Sequence, residues 1–173
     1  MNIVIIGMPG SGKTAVGRLV SKKLNVKFID MDEFIAQKEN KTITDMFAIS
    51  EEYFRNVETE CARELSKENF AVIAAGGGIV KRKKNINYLK QSSIMIFLNR
   101  PLKNIISDID IKRRPLLKNN INAVYKLYNE RIHLYKEYCD IEIINDRTKD
   151  ETANSIAAAV HRLIIKRDST YFN

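Results

Sequence analysis

Soft metal ligands are scarce in this chain: its 173 residues hold two cysteines, two histidines and no tryptophan. Cys61 and Cys139 have no C-x-x-C partner and no histidine cluster beside them, which excludes a disulfide framework and a zinc site. His133 and His161 stand singly in segments of helical spacing, where packing or surface placement is the ordinary role. Long apolar runs are missing too. The first one, Asn2-Ile3-Val4-Ile5-Ile6, is too short for a signal peptide, and nothing approaches the ~18 apolar residues of a membrane span. A soluble, reducing, cytoplasmic setting is the expectation. No internal repeat, low-complexity tract or linker breaks the chain, and 45% hydrophobic residues suffice for one domain with a sizeable core.

Charge leans one way, to a net +8. The basic residues are nevertheless dispersed, and only Lys81-Arg82-Lys83-Lys84 forms a run, which reads as a solvated helix start. A nucleic-acid binder would need a stacking platform or a clustered basic face, and neither is visible. Small anionic substrates account for a positive excess equally well.

What the chain does contain is Gly7-Met8-Pro9-Gly10-Ser11-Gly12-Lys13-Thr14, a match to G-x-x-x-x-G-K-[ST]. The apolar run before it reads as a buried parallel strand, and Val16, Leu19, Val20 and Leu24 after it recur at helical spacing. Strand, glycine loop and helix form the context this phosphate-cradling motif requires. Gly10, Ser11 and Gly12 would offer backbone N–H groups to phosphate oxygens, Lys13 would reach the β- and γ-phosphates, and the Thr14 hydroxyl would bind Mg²⁺. The chain is thus expected to bind a nucleoside triphosphate. It has neither the D-x-x-G nor the N-K-x-D of a GTPase.

Strands are expected at 2–6, 26–29, 70–74, 93–98 and 141–144. Helices are expected at about 13–24, 32–39, 43–49, 51–67, 82–90, 102–110, 121–138 and 150–166. Such alternation predicts an α/β fold, a parallel sheet with helices on both faces. Ligands of such sheets lie beyond the carboxyl ends of the strands. Strand one delivers the glycine loop there, strand two ends in Asp30-Met31-Asp32, and strand three is followed by Gly76-Gly77-Gly78. The polar, proline-interrupted stretch around 112–120 is a candidate lid, or else an ordinary surface loop.

Each of these features also has a plain structural explanation. If extended backbone persists, Asp30 and Asp32 face the same side, one toward Mg²⁺ through water and one toward an attacking hydroxyl; alternatively Asp32 only caps the next helix. The triple glycine is either a turn or a place where backbone meets a ligand closely. Arg55 and Glu58 have the spacing of a surface salt bridge, which local pattern favours over a carboxylate grip by Arg55. Arg113 and Arg114 lie in the candidate lid, where an arginine would stabilise a transferring phosphate. Arg131, late in the next helix, reads locally as solvent-facing.

Taken in order, Gly7 to Thr14, Asp30-Met31-Asp32, Phe54-Arg55, Gly76 to Gly78, Arg114-Pro115-Leu116-Leu117 and Arg131 with Tyr135 resemble the shikimate kinases over nearly the whole chain. The resemblance implies a P-loop kinase of the nucleoside monophosphate kinase type: a three-layer α-β-α fold on a five-stranded parallel sheet of order 2-3-1-4-5. It implies one domain, 1–173, with acceptor-binding helices at about 31–60 and a mobile lid at about 111–120. The implied activity is transfer of phosphate from ATP, with one Mg²⁺, to the 3-hydroxyl of shikimate in aromatic precursor biosynthesis. Asp32, Arg55, Arg131, Gly77 and Gly78 would hold shikimate, with Phe47 and Phe54 lining its pocket. The two arginines would take its carboxylate and Asp32 would act as base. Asp30 and Thr14 would serve the metal, and Lys13 and Arg114 the phosphates. The late motif Asn145-Asp146-Arg147-Thr148 lacks the proline usual in relatives, so adenine falls to Arg147 or to Lys112 and Arg113. Partners would be ATP and shikimate, without nucleic acid or membrane, and the chain would be a monomer. Another small-molecule P-loop kinase, for gluconate or a nucleotide, is the alternative.

Overall fold

A computed structural model describes residues 1–108 and 121–170. Its centre is β1 (Asn2–Ile6), buried along its whole length as a continuous β-branched run demands. To one side lie β3 (Ala71–Ala74) and the edge strand β2 (Lys27–Asp30); to the other lie β4 (Ser93–Asn99) and β5 (Ile141–Ile144). All four pairings are parallel, giving the order β2-β3-β1-β4-β5 that was expected.

The pleat divides the strands between two cores. Val4, Ile6, Ile73, Met95 and Phe97 face one layer, with Phe54, Cys61 and Leu65 of α4 (Glu51–Leu65), Ile86 and Leu89 of α5 (Lys83–Lys90) and Tyr135 of α7 (Ile121–Tyr138). Ile3, Ile5, Val72, Ile94, Ile96 and Leu98 face the other, with Val16 and Val20 of α1 (Lys13–Leu24) and Ile156 and Val160 of α8 (Lys149–Thr170). This is the expected three-layer arrangement. The remaining helices are α2 (Met31–Glu39), α3 (Ile43–Ile49) and α6 (Leu102–Ser107).

Several element ends differ from expectation, two of them for a visible local reason. Helix α2 begins at Met31, one residue early, because Asp30 caps it by accepting the N–H groups of Asp32 and Glu33. Met31 then falls into the core, fully buried. Helix α4 ends at Leu65, where the Ser66 N–H closes onto the Ala62 carbonyl. Helix α6 ends at Ser107, and α8 runs on to Thr170. The expected lid at about 111–120, with Lys112, Arg113 and Arg114, lies outside the described residues.

Candidate active site

Beyond the carboxyl ends of β1, β2 and β3 the expected residues converge. The loop between β1 and α1 takes a path only glycine follows without strain, with Gly10 at φ +80° and Gly12 at φ +92°. Gly12 sits at the N-cap with no side chain to cap α1, which leaves the first-turn N–H groups to an external acceptor. Lys13 folds over the loop, its Nζ donating to the Gly7 and Met8 carbonyls at 2.9 Å each. Burial pulls its pKa down to about 8, against the attraction of Asp32 and Asp30 and with the repulsion of Arg131.

The acidic pair is built differently from the sequence expectation. Extended backbone stops at Asp30, so the two carboxylates do not follow a pleat; the first turn of α2 brings Asp32 round instead. The cap is Asp30 rather than Asp32. Asp30 Oδ2 also accepts the Thr14 hydroxyl at 2.7 Å. Asp32 is the acid whose proton affinity is raised, chiefly by burial and then by Asp30, with Lys13 and Arg55 opposing.

Arg55 and Glu58 are no surface salt bridge. Their side chains are 9% and 1% exposed, and Nη1 donates to Glu58 Oε2 at 2.8 Å. Arg55 also donates Nε to Glu51 Oε1 at 3.3 Å, and its guanidinium lies 5.6 and 5.1 Å from the ring centres of Phe47 and Phe54, which stack on each other at 4.5 Å. Burial lifts the Glu58 carboxyl above its ordinary range, and Arg55 opposes this. Arg131 is likewise not solvent-facing. It is 9% exposed, donates Nη1 to the Gly77 carbonyl at 3.1 Å, and leaves its buried Nε without a protein partner. Tyr135 donates to the same carbonyl at 2.6 Å, and burial pushes that hydroxyl up to about 12, so it keeps its proton.

The triple glycine is shaped by these neighbours. A Cβ on Gly76 would stand 2.7 Å from Asp32 Oδ1, one on Gly77 2.7 Å from Pro9 Cδ, and one on Gly78 2.6 Å from Arg55 Nη2. Each glycine makes room for a different part of the site.

On the far side of Gly12 opens a cleft of about 500 Å³, walled by Arg147, Asn104, Asp108 and Asn145 among others. Arg147 is thus next to the glycine loop but apart from the Asp32–Arg55–Arg131 group. Two buried asparagines were not assigned from sequence. Asn85 accepts the Thr59 hydroxyl at 2.7 Å and sits 3.5 Å from Glu58 Oε2. It lies one helical turn before the fully buried Leu89, so a polar residue on an apolar stripe was the available signal. Asn145 donates to the Ser11 carbonyl at 2.8 Å, and nothing in its local pattern announces that contact.

The hard oxygens of Thr14 and Asp30 suit a magnesium ion held mainly by phosphate and water. Among the described residues no group of three or more His, Cys, Asp or Glu side chains is arranged to hold a metal ion.

A doubly wound parallel sheet with a glycine loop feeding its first helix defines a P-loop α/β protein of the small-kinase type. A family model described as shikimate kinase matches residues 9–161. A shikimate kinase of Clostridium beijerinckii is 48% identical over 158 residues, spanning 91% of this chain and 94% of that protein. One from Clostridium botulinum strain Alaska E43 is 47% identical over 154 residues, spanning 89% and 93%. The solved shikimate kinase of Acinetobacter baumannii in complex with shikimate superposes with a TM-score of 0.82 at 31% identity, covering 96% of this chain and 93% of that one. The chain belongs to the shikimate kinase family.

Proposed function

We propose that this protein transfers the γ-phosphate of ATP to the 3-hydroxyl of shikimate. The observation that carries the reading is that two buried arginines, Arg55 against Gly78 and Arg131 on the Gly77 carbonyl, meet at the triple glycine, whose first member borders Asp32. Two guanidiniums suit the carboxylate of the acceptor, and Arg55, already held by Glu58 and by the Phe47–Phe54 stack, is preorganised for a planar grip. Arg131 keeps its Nε–H available to the same carboxylate while Nη1 remains on Gly77. Gly77 and Gly78 let the pocket floor come close, and Phe47 and Phe54 form its apolar side.

Asp32 accepts the proton of the attacking hydroxyl. Its raised affinity for protons fits it for that step better than an ordinary surface carboxylate. Gly10, Ser11 and Gly12 cradle the phosphates with backbone N–H groups, and Lys13 moves its ammonium from loop carbonyls to phosphate oxygens. Thr14 and Asp30 would hold Mg²⁺, directly and through water respectively; when bound it neutralises charge on the transferring phosphate. Arg114, in the lid segment, would close on the phosphates, and Arg147 would meet the adenine. We read the chain as a single-domain monomer acting in the cytoplasm.

ADP release from Mg-ATP, compared with shikimate, gluconate, AMP or no acceptor, tests this. Turnover with shikimate alone is expected. Turnover with gluconate or AMP instead would leave the fold and overturn the roles of Arg55 and Arg131.

A further inference from the structure

Asn145 stands where three elements cross. Its main-chain N–H donates to the Asn99 carbonyl at the end of β4, its Nδ2 to the Ser11 carbonyl in the glycine loop, and its Oδ1 receives the Thr152 hydroxyl of α8, each at 2.8 Å. Asn145 is 8% exposed and Thr152 2%. Chemistry permits one orientation of this amide. The Ser11 carbonyl only accepts, so Nδ2 must face it; Oδ1 then faces the Thr152 hydroxyl, whose single proton is shared between Asn145 Oδ1 at 2.8 Å and the Thr148 carbonyl at 3.0 Å. The same Nδ2 lies 3.2 Å from where a Cβ on Gly12 would sit, so the amide covers the Ser11–Gly12 peptide.

That peptide is planar and trans, so fixing the direction of its carbonyl fixes its N–H in the opposite sense. Asn145 holds the Ser11 carbonyl on its own side, and the Gly12 N–H therefore points to the opposite side of that peptide. We infer that Asn145, oriented by Thr152, is a positioning residue for phosphoryl transfer: it aims the Gly12 N–H at the polyphosphate of the nucleotide. The inference rests on the ATP-binding reading above. It gives Asn145 a role distinct from that proposed for Arg147, which lines the same cleft two residues on.

Inorganic tripolyphosphate with Mg²⁺ isolates the phosphate cradle from adenine contacts. Its affinity, with those of ATP and shikimate, would be measured calorimetrically for wild type, Asn145→Ala, Asn145→Asp, Thr152→Val and Arg147→Ala. Asn145→Ala is expected to weaken tripolyphosphate and ATP alike by about tenfold, the equivalent of one lost hydrogen bond, with shikimate within about twofold. Asn145→Asp sets an oxygen against the Ser11 carbonyl and should lose more than alanine does. Thr152→Val, nearly isosteric, should show the same pattern more weakly. Arg147→Ala should weaken ATP and spare tripolyphosphate. Unchanged tripolyphosphate affinity in Asn145→Ala overturns the inference, as does a proportionate loss of all three ligands, which would mean a general loss of fold. A wild-type chain that binds neither ATP nor tripolyphosphate overturns the nucleotide site itself, and the inference with it.

Discussion

Asp30 Oδ2 accepts the Thr14 hydroxyl at 2.7 Å while Oδ1 receives the amides of Asp32 and Glu33 at 3.0 and 3.3 Å. One carboxylate therefore ties the glycine-loop helix to the start of α2 and sets the position from which Asp32 leaves. Asp30→Ala should remove both ties, costing about 1 kcal/mol of stability as a lost cap and weakening Mg-ATP further. Asp30→Asn keeps an acceptor for the α2 amides but removes the charge. Its melting temperature should stay near wild type while the magnesium dependence of activity moves to higher concentration. An Asn variant with unchanged magnesium dependence would show that Asp30 is a cap and nothing more.

The Arg55–Glu58 pair permits a separation of binding from stability. Arg55→Ala leaves a buried carboxylate without its charge partner, so it should lower the melting temperature as well as weaken shikimate by about 10- to 100-fold, with ATP affinity near normal. Adding Glu58→Gln removes the stranded charge. The double variant should regain much of the stability and none of the shikimate affinity. If stability and affinity return together, the arginine acts through the fold rather than on the acceptor.

The strands, their parallel alternation with helices and the glycine loop were legible because they rest on local signals, short β-branched runs and a loop of fixed spacing; the order of the strands came from the resemblance. The burial of Arg55 and Arg131 was not legible. Helical spacing places Glu58 beside Arg55, but only the packing of α4 against its neighbours α3 and α5 decides whether that face meets water, and local pattern alone pointed to the surface. The ordered set of motifs supplied what periodicity could not. Asp32 was read from an extended register that the cap at Asp30 abolishes, so the pair was found by a route the backbone does not take. Asn145 was noted only as part of the late motif, and its contact escaped notice for a related reason: its partner Ser11 lies 134 residues away, and no local rule reaches that far.

Two site groups have shifted proton affinities of opposite consequence. In the proposed mechanism Asp32 must be ionised to accept the hydroxyl proton, and burial with Asp30 nearby raises its pKa. The rate is therefore present at neutral pH and lost as pH falls through a value above the ordinary carboxylate range. Asp32→Asn should lower kcat by about 10²- to 10⁴-fold and abolish that acid limb. Lys13 acts in the other direction. With its pKa drawn down to about 8, the free protein above that pH holds a neutral amine, so nucleotide binding must take up a proton there. ATP affinity should fall as pH rises through 8. Calorimetry at pH 8.5 in buffers of different ionisation enthalpy should register proton uptake, and uptake of none would contradict the assignment.

Gly76, Gly77 and Gly78 give the sharpest test of how the site is assembled, because each alanine would strike a different neighbour. None of the three has a positive φ, so the penalty is contact, not backbone strain. The Cβ of Gly76→Ala meets Asp32 Oδ1 at 2.7 Å and should displace the base, lowering kcat with smaller effects on either KM. Gly77→Ala presses on the ring of Pro9 within the phosphate loop and should raise KM for ATP. Gly78→Ala pushes the Arg55 guanidinium and should raise KM for shikimate. Steric displacements of this size typically cost about 1–3 kcal/mol, so changes of roughly 5- to 150-fold are expected in the affected parameter. Steady-state kinetics of the three variants, with both substrates varied, reads the pattern directly. If all three lose kcat and both KM values in parallel, the glycines serve a common turn and the division among Asp32, Pro9 and Arg55 fails.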